Sequence, residues 1–117
     1  MYYGNYLRFF EIGRTEFLRS MLKTSYRDLE HEGLILPVSE AYCRYKAPAN
    51  YDDLLEVSTS LEKFSKFSIR FHYLIHRLGD RRLLVRGYTV HAATDRSGHL
   101  TRIPKDFQTA LTDICNK

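Results

Sequence analysis

Apolar residues at three- and four-residue steps open the chain. Tyr6, Phe9, Phe10, Phe17, Leu18, Met21 and Leu22 fall along one side of a helix, so the spacing predicts a helix from Tyr6 to about Leu22. Gly13 interrupts it at a cost of ~1 kcal/mol against alanine, and a glycine there is expected to let the helix pack closely on a sheet. The pattern breaks at Lys23. Thr24 or Ser25 is suited to cap a second, short helix through Glu32, which Gly33 would end. Beyond Gly33 the period falls to two. Ser39, Ala41, Cys43 and Tyr45 alternate with Glu40, Tyr42, Arg44 and Lys46; Leu55, Val57, Thr59 and Leu61 alternate with Glu56, Ser58, Ser60 and Glu62. A third strand carries Ile69, Phe71, Tyr73 and Ile75, with Arg70, His72 and His76 on its other face. Gly79-Asp80 predicts a hairpin turn into a fourth strand, Leu83 to Ala93. Ala47-Pro48-Ala49-Asn50 and Ser97-Gly98 read as turns, and Pro104 starts a final short helix bearing Phe107 and Leu111.

A long helix followed by a meander of strands is an α+β pattern. The sheet would bury its apolar face on the helix and leave a polar face outside. Residues 1–117 are expected to form one domain, since 117 residues suffice for one core and not for two. Nine Tyr and seven Phe point to a core or an interface rich in large rings. No apolar run has the length of a membrane span. Two cysteines, Cys43 and Cys115, do not make a disulfide framework, so a reduced, cytoplasmic setting is expected. The net charge of +4 suits a phosphate-bearing ligand or simply a solvated basic surface. Bases are mixed with acids throughout and no recognition motif is present, so no nucleic-acid partner is expected.

The candidate chemistry begins at the N-terminal end of the long helix. Tyr3, Gly4 and Asn5 lead directly into it, and a helix N-terminus offers unpaired N–H groups and a partial positive charge to an anion or a developing oxyanion. Small residues there let a ligand approach the backbone. Glu11 and Glu16 lie on the same helix as possible reacting carboxylates, or as ion-pair partners of Arg8, Arg14 and Arg19. The helical rise puts Glu11 on the order of 9 Å from Asn5, too far to meet a carbonyl held at the N-terminus. Asp52 and Asp53 sit in a turn, where carboxylates usually bond nearby backbone. His72 and His76 share a strand face without the partners a zinc site needs, and no metal is expected. Cys43 reads as a core thiol beside Ala41 and Tyr45.

Several segments together carry a resemblance: Tyr2-Tyr3-Gly4-Asn5-Tyr6-Leu7-Arg8-Phe9-Phe10-Glu11, then Arg14-Thr15-Glu16, Tyr45-Lys46-Ala47-Pro48-Ala49, Tyr51-Asp52-Asp53 with Leu55, Gly87-Tyr88-Thr89-Val90 and Arg102-Ile103-Pro104. In order and spacing they resemble the 4-hydroxybenzoyl-CoA thioesterase-like family, hot-dog-fold acyl-CoA thioesterases that include the type associated with the Tol–Pal system. The resemblance implies a five-stranded antiparallel sheet wrapped around the long helix, association as a homodimer or homotetramer, and hydrolysis of acyl-CoA at a site shared between subunits. It assigns to the Tyr3 N–H, flanked by Gly4 and Asn5, the polarisation of the thioester carbonyl. It places the CoA phosphates and pantetheine arm near the turn between the second and third strands, where Lys63, Ser65, Lys66, Ser68 and Arg70 lie; a basic hairpin exposed to water is the plainer reading of those residues. Water is the co-substrate, and no cofactor is implied. Rings between two subunits, Phe9 and Phe10 among them, would hold the acyl group.

The family also carries a first strand ending in an Asp-rich loop just before the tyrosines, and that Asp acts as nucleophile or general base. The sequence opens at Met1, where the family has Val or Ile, and contains neither. The native start is therefore expected to lie upstream, since loss of a strand would bare a neighbouring edge. A chain truly beginning at Met1 would be a truncated hot-dog domain. The alternative function is then a catalytically silent module that binds acyl-CoA or a partner protein.

Overall fold

The computed structural model describes residues 3–22, 33–50 and 52–115. In chain order they form α1 (Tyr3–Leu22), β1 (Val38–Tyr45), β2 (Leu55–Phe64), β3 (Ser68–Arg77), β4 (Leu83–Ala92) and α2 (Lys105–Cys115). The architecture is α+β, as the periodicity predicts. α1 begins at Tyr3 rather than Tyr6, so Gly4 and Asn5 lie inside the first helical turn and not in a turn ahead of it. The first turn needs no apolar periodicity, because its N–H groups have no intrahelical acceptors to align. The short helix expected between Thr24 and Glu32 lies outside the described residues. Arg81, not Gly79, takes the left-handed conformation in the β3–β4 hairpin (φ 61°).

All strand pairs are antiparallel, in the order β1-β4-β3-β2. The resemblance implies five strands; the described residues supply four. One row across the sheet is Tyr45, Val85, Ile75 and Val57, and the opposite end carries Val38, His91, Ile69 and Phe64. Ile69, Phe71, Tyr73 and Ile75 alternate inward along β3 and are completely buried, giving the sheet one apolar face. α1 lies on that face and runs antiparallel to β3. Its contacts set the direction: Tyr6 meets Tyr45 (ring centroids 5.2 Å), Phe10 stacks on Tyr73 (4.4 Å), and Phe17 meets Phe71 edge-on (6.0 Å). Two glycines permit this approach. A Cβ on Gly13 would collide with Thr59 Oγ1 on β2, and one on Gly87 would lie 2.6 Å from the Phe10 ring. α2 closes the core against β2 through buried Phe107 and Leu111.

A chain of hydrogen bonds crosses this core, and its polarity follows from what each group can do. The Leu36 carbonyl can only accept, so His91 Nδ1–H donates to it (2.9 Å). Neutral His91 then accepts at Nε2 from the Thr89 hydroxyl (2.8 Å). Thr89 in turn accepts from the Tyr73 hydroxyl (2.7 Å), which accepts from Arg14 on α1 (3.4 Å). Burial away from water lowers the His91 pKa from 6.5 to about 4, with the Arg14 charge adding to the fall and the Leu36 bond opposing it. A base depressed in the folded state binds its proton more readily when unfolded. Stability should therefore be complete above pH 6.5 and decline as the pH falls toward 4, by about 3 kcal/mol over that window. Urea titrations at pH 7, 5.5 and 4 measure this, and His91→Gln should flatten the slope; an equally steep slope in the variant would assign the acid sensitivity elsewhere.

Candidate active site

The head of α1 sits above the end of β1. Buried Tyr6, one turn in, packs on Tyr45, the last residue of that strand. There the chain leaves the sheet: the Lys46 and Ala47 amides both donate to the Leu84 carbonyl, and Ala47 is buried. Among the described residues that follow, Pro48 and Asp53 are held by one side chain. Arg77 donates from Nε to Asp53 Oδ2 (3.0 Å), through one terminal nitrogen to Asp80 (3.1 Å), and through the other to the Pro48 carbonyl (2.8 Å). Asp53 also accepts from the Asn50 amide (2.7 Å). Asp53 thus has the structural role its turn composition suggests, while Asp52 is exposed.

The first amides of α1 lack intrahelical acceptors by the geometry of any α-helix. Tyr3, Gly4 and Asn5 supply these groups, and the helix dipole adds positive potential there. Such an end can hydrogen-bond a carbonyl oxygen and gains strength as that oxygen becomes anionic. Glu11 is exposed, two turns further on, beside a shallow depression of about 280 Å³ that it shares with Arg8, Ile12, Thr15 and Glu16. Glu16 pairs with Arg19 at 3.0 Å, the ion-pair role weighed for it. Phe10 corrects an expectation. It is 1% exposed, sandwiched between Tyr73 and Gly87, and so cannot line an acyl pocket; Phe9 is half-buried and remains available.

The basic hairpin stands at the other end of the sheet. Ser65 and Ser68 bond each other through their hydroxyls (2.9 Å), and the Ser65 hydroxyl also accepts from the Phe67 amide (3.2 Å). Lys63 and Lys66 are exposed. Arg70 lies on the outer face with its guanidinium 3.8 Å above the Tyr88 ring and Nε 2.9 Å from Glu62. That Nε makes no aligned hydrogen bond despite the short separation, so the pair is a charge contact rather than a directed one. Six strand residues separate the row of Ile75 from that of Ile69, about 20 Å along the sheet. Within one protomer, then, the structure keeps Lys63, Ser65, Lys66, Ser68 and Arg70 apart from Tyr3, Gly4 and Asn5.

A groove of about 460 Å³ between α1 and the outer edge of β2 has no counterpart in the sequence analysis. Ile12, Phe17 and Val57 make it mainly apolar, and Thr59 Oγ1 is buried there without a hydrogen-bond partner. Gly13 was its one legible sign, as the place where helix and strand come together. Cys43 is half-buried against the core, and burial pushes its thiol pKa up, opposed by a bond to Tyr45; that favours the unreactive thiol.

Residues 1–111 match the model of the thioesterase-like superfamily. The chain belongs to that family. It is 32% identical over 113 residues to the acyl-CoA thioesterase YbgC of Haemophilus influenzae, covering 95% of this chain and 81% of that protein. The crystal structure of a hypothetical protein from Thermus thermophilus superposes on the fold with TM-score 0.89 and 30% identity, over 97% of this chain and 85% of that one. A DHNA-CoA thioesterase from Staphylococcus aureus superposes with TM-score 0.90 and 28% identity, over 98% and 78%. The fold of this thioesterase-like chain is the hot-dog fold, and by resemblance it is an acyl-CoA thioester hydrolase. No helix among its described residues is long and apolar enough to cross a membrane.

Proposed function

We propose that the chain is a cytoplasmic acyl-CoA thioesterase of the 4-hydroxybenzoyl-CoA thioesterase-like, Tol–Pal-associated type, a single domain over residues 1–117 that works as a homodimer or homotetramer. The observation that carries this reading is the opening of α1 at Tyr3, whose amide heads the helix and so has no acceptor in its ladder. The Tyr3 N–H donates to the thioester oxygen, and Gly4, lacking a side chain, lets the carbonyl come close. Water adds to the carbonyl carbon, and negative charge gathers on the oxygen at the positive end of the helix. When the tetrahedral intermediate collapses the carbon–sulfur bond breaks. The acid leaves with the water's oxygen and CoA leaves as its thiol. In the family that the sequence resembles, the water is activated by an Asp in a loop ahead of the tyrosines. Lys63, Ser65, Lys66, Ser68 and Arg70 supply charge and donors suited to the CoA phosphates.

One observation favours the silent module as a second reading. Of the two carboxylates weighed as reacting groups, Glu11 is solvent-exposed and Glu16 is paired with Arg19. A thiol-release assay with aliphatic and aromatic acyl-CoAs decides between them. Turnover on any of them supports the hydrolase; CoA binding measured by calorimetry, with no thiol released, supports the module.

A further inference from the structure

Two loops meet at the end of the sheet away from the α1 head. The β2–β3 turn is set by its own groups: the Ser65 amide donates to the Ser68 carbonyl (2.8 Å), and the Ser65 hydroxyl accepts from the Phe67 amide. Beyond β4 the chain turns back at Asp95, whose carboxylate accepts from the Ser97 and His99 amides (2.9 and 3.0 Å). Backbone bonds then fasten one loop to the other. The Ala93 amide donates to the Phe67 carbonyl (2.8 Å), the Ala93 carbonyl accepts from the Thr101 amide (2.9 Å), and the Ile103 amide donates to the Lys66 carbonyl (2.8 Å). These bonds set the backbones of Phe67 and Leu100 on the order of 10 Å apart. Both residues are large and apolar, yet Phe67 is 43% and Leu100 63% accessible. Their surroundings are cationic. Residues 63–68 and 94–106 hold five lysines and arginines against two carboxylates, most of the chain's net charge of +4. Lys63, Lys66, Arg102 and Lys105 are exposed, whereas one of the carboxylates, Asp95, is taken up by turn amides. The opposite end of the sheet differs. Leu54 and Leu78 are exposed there, but residues 52–56 and 77–82 carry four carboxylates against three arginines.

We propose that this end of the molecule docks on an anionic lipid bilayer, with Phe67 and Leu100 entering the interface and Lys63, Lys66, Arg102 and Lys105 facing the phosphate headgroups. A cation is drawn to an anionic leaflet within about a Debye length of its surface. Exposed apolar side chains at the same level add the burial that charge alone lacks. The lysine stems lie along the acyl boundary while their ammonium groups stay in water. A polynucleotide would match the charge, but it offers no apolar phase to Leu100, whose aliphatic side chain lacks the flat ring on which bases stack. The acid-rich end with Leu54 and Leu78 would be repelled by the same leaflet, so the protein docks one way round. Docking does not depend on thioester hydrolysis, and it gives Phe67, Leu100, Arg102 and Lys105 a role that the hydrolytic reading leaves without one.

Co-sedimentation with vesicles tests the face. Wild type should pellet with vesicles of phosphatidylcholine mixed with phosphatidylglycerol and stay in the supernatant with phosphatidylcholine alone. It should be released as salt rises past the physiological range. Phe67→Ser/Leu100→Ser should weaken the partition by about tenfold, and Arg102→Gln/Lys105→Gln by about tenfold or more. Leu54→Ser/Leu78→Ser, at the other end, should change it little. All the substituted side chains are exposed, so circular dichroism should report an unchanged fold. Wild type that fails to pellet with the mixed vesicles overturns the proposal. Full partition by either the apolar or the cationic double variant overturns it too, as does an equal loss in Leu54→Ser/Leu78→Ser. Binding of single-stranded RNA without vesicle binding overturns it in favour of a nucleic-acid face. Thiol release in solution enters none of these readouts, so the docking face and the thioesterase reading stand or fall separately.

Discussion

Tyr3→Pro is expected to lower kcat for acyl-CoA hydrolysis by about 10²–10³-fold while the protein folds normally. Proline lacks the amide hydrogen, and at the first position of α1 that hydrogen has no role in the helix ladder. Its fixed φ of about −65° also suits a helical start. The substitution therefore removes the proposed oxyanion donor and little else. A neutral thioester oxygen is a weak acceptor, so KM should move much less than kcat. Tyr3→Ala is the control: it keeps the amide and discards the ring, and should retain most of the rate. Wild-type kcat in Tyr3→Pro, or an equal loss in Tyr3→Ala, would take the chemistry away from this amide.

Phe10→Ala should have the largest effect on stability, a loss of about 3–5 kcal/mol. Phe10 is 1% exposed and stacks on Tyr73 with the ring planes 8° apart. Truncation removes the transfer energy of the ring, its stacking, and the atoms that fill the space over Gly87. Domains of this size are commonly stable by only about 5–15 kcal/mol, so much of the margin goes. Guanidinium titration monitored by far-ultraviolet circular dichroism reads the change as a lower midpoint. A midpoint within error of wild type would mean that the stack does not hold α1 to the sheet.

The four strands were legible because each alternates over eight or ten residues, long enough for period two to be unmistakable, but the expected meander is corrected: β1 pairs with β4, so only β2, β3 and β4 follow one another across the sheet. The long helix was legible from Tyr6 onward for a similar reason. Its first turn was not, because Gly4 and Asn5 are turn-forming residues of weak helix propensity and read as a turn ahead of the helix. Phe10 was misplaced because periodicity tells which side of a helix is apolar and not whether that side meets a core or a ligand. Asp53 and Arg77 stand 24 residues apart, and nothing in either segment announces their ion pair. Nothing local singles out His91 within the fourth strand; that it is buried and tied to Leu36, 55 positions earlier, depends on how the chain returns to cover that end of the sheet. The distance between the helix head and the basic hairpin depends on strand order, since β1 pairs with β4 and not with β2. Local pattern gives each strand its faces and leaves its neighbours undetermined.

The buried relay from Arg14 to Leu36 admits a single arrangement of its hydrogens. Imidazolium must give at both nitrogens, so a proton arriving on His91 would strand the threonine hydroxyl between two incoming donors, its own hydrogen left facing hydrocarbon. The penalty would not stay local, because the next links are the tyrosine beneath Phe10 and the guanidinium of α1. Acid would thus loosen the attachment between helix and sheet before it melts either one, and the amide exchange of α1 should quicken at a milder pH than that of β3.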